Sequence, residues 1–295
     1  MGGIHFHCVP AGDEASGETW MPRYDDMLGD AVKEIEAIES TRAAAIGQPV
    51  VVRVDGASFS KFTRGFDRPF DSRIAEAMEA AAKAGVDDFH CRLAYTQSDE
   101  ISFLLWHPEN ELPFGGRMQK LASRFAAKAT AAFLLKGLEL FPEAIARQTP
   151  EFDGRATAFP SLDVAAKAIL WREIDARKNA VSMAARAHFP AAKLHGRSSS
   201  DMRAMLAEAG TDFYAYPERF RRGVFFRRMT VERMLEPEEL ARIPEAHRPT
   251  GPVKRSAVAA VKLPALSTID NLADVLFHGA EPRVEERPLA TAVYS

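Results

Sequence analysis

Two stretches decide the fold: Val50-Val51-Val52-Arg53-Val54-Asp55-Gly56, and Tyr95-Thr96-Gln97-Ser98-Asp99-Glu100-Ile101-Ser102. In the first, β-branched residues run almost unbroken and stop at Asp55 and Gly56, a turn-favouring pair, so residues 50–54 are expected to form a short strand. In the second, the runs 92–96 and 101–106 flank four polar residues, Gln97 to Glu100, and read as two strands joined by a tight connection. Working outward, residues 71–84 form an Ala-rich helix that Asp71 and Ser72 can cap. Residues 117–136 form a longer helix with Met118, Leu121, Ala122, Phe125, Ala129, Ala132 and Phe133 on one face. Arg155 to Phe159 reads as a strand. The order β-α-β-β-α-β is the ferredoxin-like arrangement, and the fold class is α+β with this unit at residues 27–161. Many functions use that topology, so it does not by itself name one.

The flanks are less regular. Leu28, Val32, Ile35 and Ile38 predict a helix over 28–46, stopped by Gln48 and Pro49. Residues 1–26 lack periodicity and read as a flexible extension, not a signal peptide. Within it, His5, His7 and Cys8 stand too close together for a structural zinc site. Residues 162–295 read as an appended helix-rich region, with helices over 162–187 and 200–209, a basic and aromatic stretch at 219–228, and a loose tail from Glu281.

Of 295 residues, 46% are hydrophobic and 27% charged, a globular balance. No window holds 18 unbroken apolar residues, so no membrane span is expected. The two cysteines, Cys8 and Cys91, suit a reducing cytoplasm better than a disulfide framework. The net charge of −3 disfavours a protein that coats nucleic acid indiscriminately; any RNA surface needs locally clustered cations.

The carboxylates carry the chemistry. Asp55 ends the first strand, and Asp99 and Glu100 lie between the second and third. In this topology the first and third strands pair at the sheet centre, so these carboxylates meet at one sheet edge. There they repel unless a cation intervenes, and Mg²⁺ is the usual oxygen-seeking choice beside phosphates. Two such ions clamp the attacking and leaving oxygens of phosphoryl transfer. Gly56 lacks a Cβ and lets its backbone approach a metal or a phosphate. Each motif alone is an ordinary turn; together, on this strand order, they form the layout of a polymerase or cyclase palm. On helix 117–136, which has no Asp or Glu, Arg117, Lys120, Arg124 and Lys128 form one stripe. It suits a triphosphate, or is simply a solvated face. Arg219, Arg221, Arg222, Arg227 and Arg228 interleave with Phe220, Phe225 and Phe226. That pattern fits an RNA surface and an amphipathic strand equally well.

Arg53-Val54-Asp55-Gly56-Ala57-Ser58-Phe59 with Phe62-Thr63, then Tyr95 to Ser102, then Phe152-Asp153-Gly154-Arg155 with Phe159-Pro160-Ser161, resemble three motifs of the tRNA-His guanylyltransferase superfamily. The similarity runs over roughly residues 27–230. It implies a palm domain using two Mg²⁺ ions that extends tRNA in the 3′-to-5′ direction. ATP activates a 5′-monophosphate, and the 3′-hydroxyl of GTP or another NTP then attacks. The resemblance implies Asp55, the Gly56 carbonyl and Asp99 as metal ligands and Glu100 as a supporting carboxylate in catalysis. It further implies a nucleotide site at Asp55, Gly56, Ala57, Ser58, Phe59, Ser60, Ser98 and Asp99, with Arg68, Arg117 and Lys120 on the phosphates. The candidate RNA contacts are Arg177 and Asn179, in the stretch that corresponds to the family's tRNA-recognition segment, and Arg221 and Arg222 of the basic and aromatic stretch; the resemblance suggests a homodimer or homotetramer. Eukaryotic members carry His-Ile-Asn-Asn-Leu-Tyr-Asn where this chain has Arg177-Lys178-Asn179-Ala180-Val181-Ser182-Met183, so only Asn179 survives. The family's His is absent at Ser60. The chain therefore resembles the bacterial guanylyltransferase-like branch, which repairs 5′-truncated tRNAs. A nucleotide cyclase, or another palm nucleotidyltransferase without a tRNA substrate, is the alternative enzyme.

Overall fold

A computed structural model describes residues 21–284 of the chain. The His5, His7 and Cys8 cluster, most of the N-terminal extension and the end of the C-terminal tail lie outside the described residues. The chain divides into two units, residues 1–42 and 43–295. The first contributes α1 (Met21–Ser40). That helix stops six residues short of the end predicted from its spacing. Beyond it, in the second unit, the Ala44 N–H donates to the Gly116 carbonyl, and Ala43 forms a β-bridge with Arg117. Extended pairing thus replaces a last helical turn.

In chain order the second unit contains β1 (Val50–Ala57), the one-turn α2 (Phe59–Phe62), α3 (Ser72–Phe89), β2 (Leu93–Gln97), β3 (Glu100–Leu105), α4 (Met118–Leu140), α5 (Pro142–Arg147) and β4 (Glu151–Ala158). Then follow α6 (Leu162–His188), α7 (Ala191–Leu194), α8 (Ser199–Glu208), α9 (Glu218–Arg222), β5 (Val224–Arg233), α10 (Pro237–Ala241) and β6 (Val253–Val261). The strands form one antiparallel sheet in the order β4-β1-β3-β2-β5-β6. The first four positions are the expected ferredoxin-like order. The stretch 219–228 resolves into α9 and the start of β5, so the strand reading holds for its second half. β6 went unread because Val253–Val261 lacks strict apolar alternation and is half-buried at most.

Strand periodicity sorts the core onto two faces. Val50, Val52, Val54, Ile101, Phe103 and Leu105 join Met78, Ala81, Val86, Leu121, Phe125 and Phe133 in the cluster under α3 and α4. Val51, Leu93, Tyr95, Leu104 and Phe225 join Ala165, Ala166, Ile169 and Ala176 of α6 on the other face. The return segment after β6 completes that side with Leu266, Ile269, Val275, Leu276 and Phe277. The cap expected at Asp71 forms, and two further helices are capped by serines. Asp71 accepts from the Arg73 N–H at 2.9 Å at the start of α3, and Ser161 and Ser198 cap α6 and α8.

The most demanding contact lies between α4 and β4. A Cβ at Gly154 would stand 2.3 Å from the Ala122 carbonyl oxygen and 3.0 Å from its carbon. The obstacle is backbone, which cannot swing aside. Gly154→Ala is expected to push α4 off the sheet and to destabilise the protein by about 2 kcal/mol, read as a lower urea midpoint at unchanged m-value. An unchanged midpoint would mean that α4 has slack at this crossing.

Candidate active site

Asp55 and Glu100 are directly opposite one another in the β1–β3 ladder, and Asp55 also faces Asp153 of β4. Gln97 pairs with Glu100, so β2 and β3 are joined by a two-residue turn, Ser98 and Asp99. The Gly56 N–H donates to the Asp99 carbonyl at 3.0 Å, which stitches the end of β1 to this turn. The pairing brings together the carboxylates that the sequence reading expected to meet. Two serines beside them, Ser58 and Ser98, adopt left-handed backbone with φ of 53° and 54°. Such conformations in non-glycine residues cluster where a chain must turn sharply at a functional site. Gly56 has a packing reason for lacking a side chain: a Cβ there would meet the Phe59 ring at 2.5 Å.

The three carboxylates differ in environment. Burial raises the Asp99 pKa, and the Asp55 charge adds to that, against a lowering hydrogen bond from the Ser98 side chain. Burial also raises the pKa of Glu100, opposed chiefly by Arg172 and then by Arg53. Arg172 of α6 donates from Nε to Glu100 Oε1 at 2.7 Å and from its Nη2 to Oε2, and Arg53 Nη1 lies 3.7 Å from Oε2. Glu100 is thus neutralised by protein cations, whereas Asp55 and Asp99 face each other's charge without such a partner among the described residues. Among the described residues no group of three or more His, Cys, Asp or Glu side chains is arranged to hold a metal. The donor set that remains is two carboxylates and backbone carbonyls, all oxygen, which is the chemistry of a hard divalent cation. These residues therefore fit Mg²⁺.

Beside Asp99 opens a cavity of about 270 Å³. Ser60, Arg68 and Ser98 from the predicted site line it, together with Phe59. Its remaining wall is largely apolar, with Phe66, Phe70, Ile74, Met78 and Val224. Phe70 stacks on Phe220 at 5.0 Å, and Arg219 reaches Glu79 at 3.5 Å on its rim. Ala57 is exposed at the end of β1.

Other predicted residues lie elsewhere. Arg117 is the N-cap of α4; its backbone bridges Ala43 and its Nε donates to the Phe114 carbonyl at 3.1 Å. Residues 43–49 lead into Val50, at the opposite end of β1 from Asp55, and neither Arg117 nor Lys120 lines the cavity. Of the rest of that stripe, Arg124 lies over the Phe114 ring and Lys128 pairs with Asp88 at 2.6 Å. Arg222 is held within the protein. One of the cations of the basic and aromatic stretch, it donates to the fully buried Glu173 at 2.9 Å, to Glu218 and to the carbonyls of Leu263 and Pro264. A guanidinium has five N–H donors, and these partners occupy them. Arg221 donates to the Tyr216 carbonyl, while Arg177 and Asn179 remain exposed on α6. The sequence reading missed Arg172, Glu173 and Glu79, and it read Arg219 only as one cation of the basic stretch. Arg172 and Glu173 sit mid-helix, where charged residues ordinarily face water; only their place one turn beyond the buried Ile169 hinted otherwise.

The family model for tRNAHis guanylyltransferase matches residues 29–160. The chain is 36% identical over 133 residues to the tRNA(His) guanylyltransferase of Schizosaccharomyces pombe, covering 44% of this chain and 50% of that protein. It is 34% identical over 133 residues to tRNA(His) guanylyltransferase 1 of Arabidopsis thaliana, covering 44% of this chain and 23% of that protein. The chain thus spans half or less of the length of these relatives. Among solved structures, a bacterial tRNA(His) guanylyltransferase-like protein in complex with ATP aligns with a TM-score of 0.66 and 29% identity, over 81% of this chain and 94% of that one. One in complex with GTP aligns with a TM-score of 0.60 and 28% identity, over 82% and 94%.

Because its folded-state pKa is raised, Asp99 favours the folded state below the ordinary carboxylate pKa of 3.8 and withdraws that contribution as pH rises through its own value. Asp99→Asn removes the half-buried charge while keeping the shape. In metal-free protein the variant is expected to melt above the parent at pH 8, with the gap closing towards pH 4. A variant that melts below the parent at pH 8 would show that the carboxylate stabilises the turn.

Proposed function

We propose that this chain, which belongs to the tRNA-His guanylyltransferase superfamily, adds nucleotides to the 5′ end of a tRNA in the 3′-to-5′ direction. The observation that carries the proposal is the meeting of Asp55 and Asp99 at one sheet edge, beside a cavity lined by Ser60, Ser98 and Arg68. Asp55, the Gly56 carbonyl and Asp99 would hold two Mg²⁺ ions, which when bound neutralise phosphate charge during displacement at phosphorus. Glu100, tied to Arg172 and Arg53, positions the backbone that carries Asp99. Ser60 and Ser98 offer hydroxyl donors and Arg68 a fixed positive charge to a triphosphate entering the cavity. ATP serves as activating nucleotide and GTP or another NTP as the one added, in line with the ATP and GTP complexes of the similar bacterial structures.

Catalysis is assigned to residues 27–161, and RNA contact to the region from 162 onward, where Arg177, Asn179 and Arg221 are the candidates. Arg117 and Lys120, at the far end of β1, suit the phosphates of the RNA or of a second nucleotide better than the cavity beside Asp99. The proposed setting is the cytoplasm; among the described residues no helix is long and apolar enough to cross a membrane. A homodimer or homotetramer is the proposed assembly. The absence of most of the His-Ile-Asn-Asn-Leu-Tyr-Asn stretch favours the bacterial-type branch, in which pairing with the facing base selects the added nucleotide.

The test is extension of histidine and non-histidine tRNAs lacking their first 5′ nucleotide, each with ATP and all four NTPs. Truncated tRNAs are expected to be filled to the end of the stem whatever their anticodon. Asp55→Ala and Asp99→Ala should each lower the rate at least a thousandfold, a scale set by the several kcal/mol that metal stabilisation contributes. Addition of an unpaired G to full-length histidine tRNA alone would overturn the repair reading and leave the histidine-specific one.

A further inference from the structure

α6 lays Ala165, Ala166, Ile169, Glu173 and Ala176 on the sheet side, and all five are buried. Its flank nearest the carboxylates carries Arg172, and its outer surface carries Trp171. The indole is 57% exposed, although tryptophan is highly buried on average. Trp106 shows the ordinary alternative: it donates from Nε1 to the Gly47 carbonyl at 3.0 Å and packs edge-on against Phe277. For Trp171 the described partner is the Arg172 guanidinium, whose carbon lies 4.7 Å from the ring centroid. Arg172 is itself fixed by Glu100, the register partner of Asp55. One ring face is thus held against a cation anchored at the carboxylate edge, and the indole leaves much of its surface to solvent.

The charges around the indole favour a polyanion. Lys167 lies one turn before Trp171 on the same outer surface and Lys178 two turns after it; both are exposed. The acid on this flank, Asp175, is already engaged by Asn179 at 3.2 Å and by Arg172 at 4.0 Å. An aromatic face between exposed cations is how proteins hold nucleic-acid ends without reading their sequence: the bases stack and the backbone meets the positive charge.

We propose that Trp171 is the stacking platform for the terminal base pair of the RNA whose 5′ end is extended. The proposal rests on the reading of the chain as a 5′-end nucleotidyltransferase. Arg172, Trp171 and the terminal base form one stack, so the carboxylate edge and the RNA end are positioned by neighbouring residues of a single helix. Trp171 is a positioning residue: it holds the end and touches no reacting atom.

The experiment is a cycle on the full-length protein, using an acceptor-stem hairpin labelled at its loop, with either a normal or an abasic terminal position. Binding is read by anisotropy. Trp171→Ala is expected to weaken binding of the normal hairpin roughly tenfold, in keeping with the loss of one base–aromatic stack. It should leave binding of the abasic hairpin within twofold of the parent. Trp171→Tyr should recover most of the loss. In extension assays the alanine variant should raise KM for tRNA while KM for the NTP stays unchanged. Equal losses on normal and abasic hairpins would overturn the proposal. So would unchanged RNA binding accompanied by a shift in sedimentation, which would make Trp171 a contact between copies of the chain. If no tRNA is extended even by the parent protein, the functional reading fails, and the abasic cycle still decides whether the indole stacks on an RNA end.

Discussion

The register of β1 against β3 is the constraint on which the site depends. Asp55 lies opposite Glu100, and a slip of one residue would turn every side chain of β1 to the other face of the sheet. Val50, Val52 and Val54 would then leave the cluster beneath α3 and α4, and Asp55 would be driven into it. Apolar burial of about 2 kcal/mol per valine, together with the cost of an unpaired buried carboxylate, locks the register. The electrostatically unfavourable crowding of Asp55 and Asp99 is therefore imposed by the packing of residues that take no part in chemistry.

A second layer of control comes from α6. Two consecutive residues, Arg172 and Glu173, make ion pairs in different directions, one to the carboxylate edge and one to Arg222. Glu173 also accepts from the Leu266 N–H at 2.9 Å, and Arg222 donates to Leu263 and Pro264. The helix that steadies Glu100 is thereby fastened to the segment following β6. The burial of Glu173 is tolerable only because each of its oxygens has a partner. Residues nearly a hundred positions downstream thus help fix the angle at which α6 crosses the sheet.

Much of this was legible in the sequence, for identifiable reasons. Strand β1 and the β2–β3 turn were readable because β-branched runs end at turn-forming polar residues, and their pairing followed from the strand order. Asp55 and Asp99 could therefore be placed together, and Ser60, Ser98 and Arg68 do line the adjacent cavity. Long-range partners were not legible. Arg222 looked like one of a set of surface cations, yet its environment is set by Glu173, 49 positions away, and by a return segment with no strong pattern. The stripe on α4 was correctly periodic, but periodicity says which residues share a side of a helix and not which end of the sheet that helix starts from. β6 escaped because its pairing with β5, rather than its own apolar pattern, makes it a strand.

β4 forms one margin of the sheet, and among the described residues its far side has no neighbouring strand. Unpaired backbone of that kind is a template on which other chains can assemble. Here alternate residues Glu151, Asp153 and Arg155 are exposed and charged, while Phe152 points inward. Any intruding strand would have to desolvate two acids and a guanidinium within five residues. The same Asp153 that neighbours Asp55 in the ladder thus also places charge along this open margin, where it opposes the addition of a further strand.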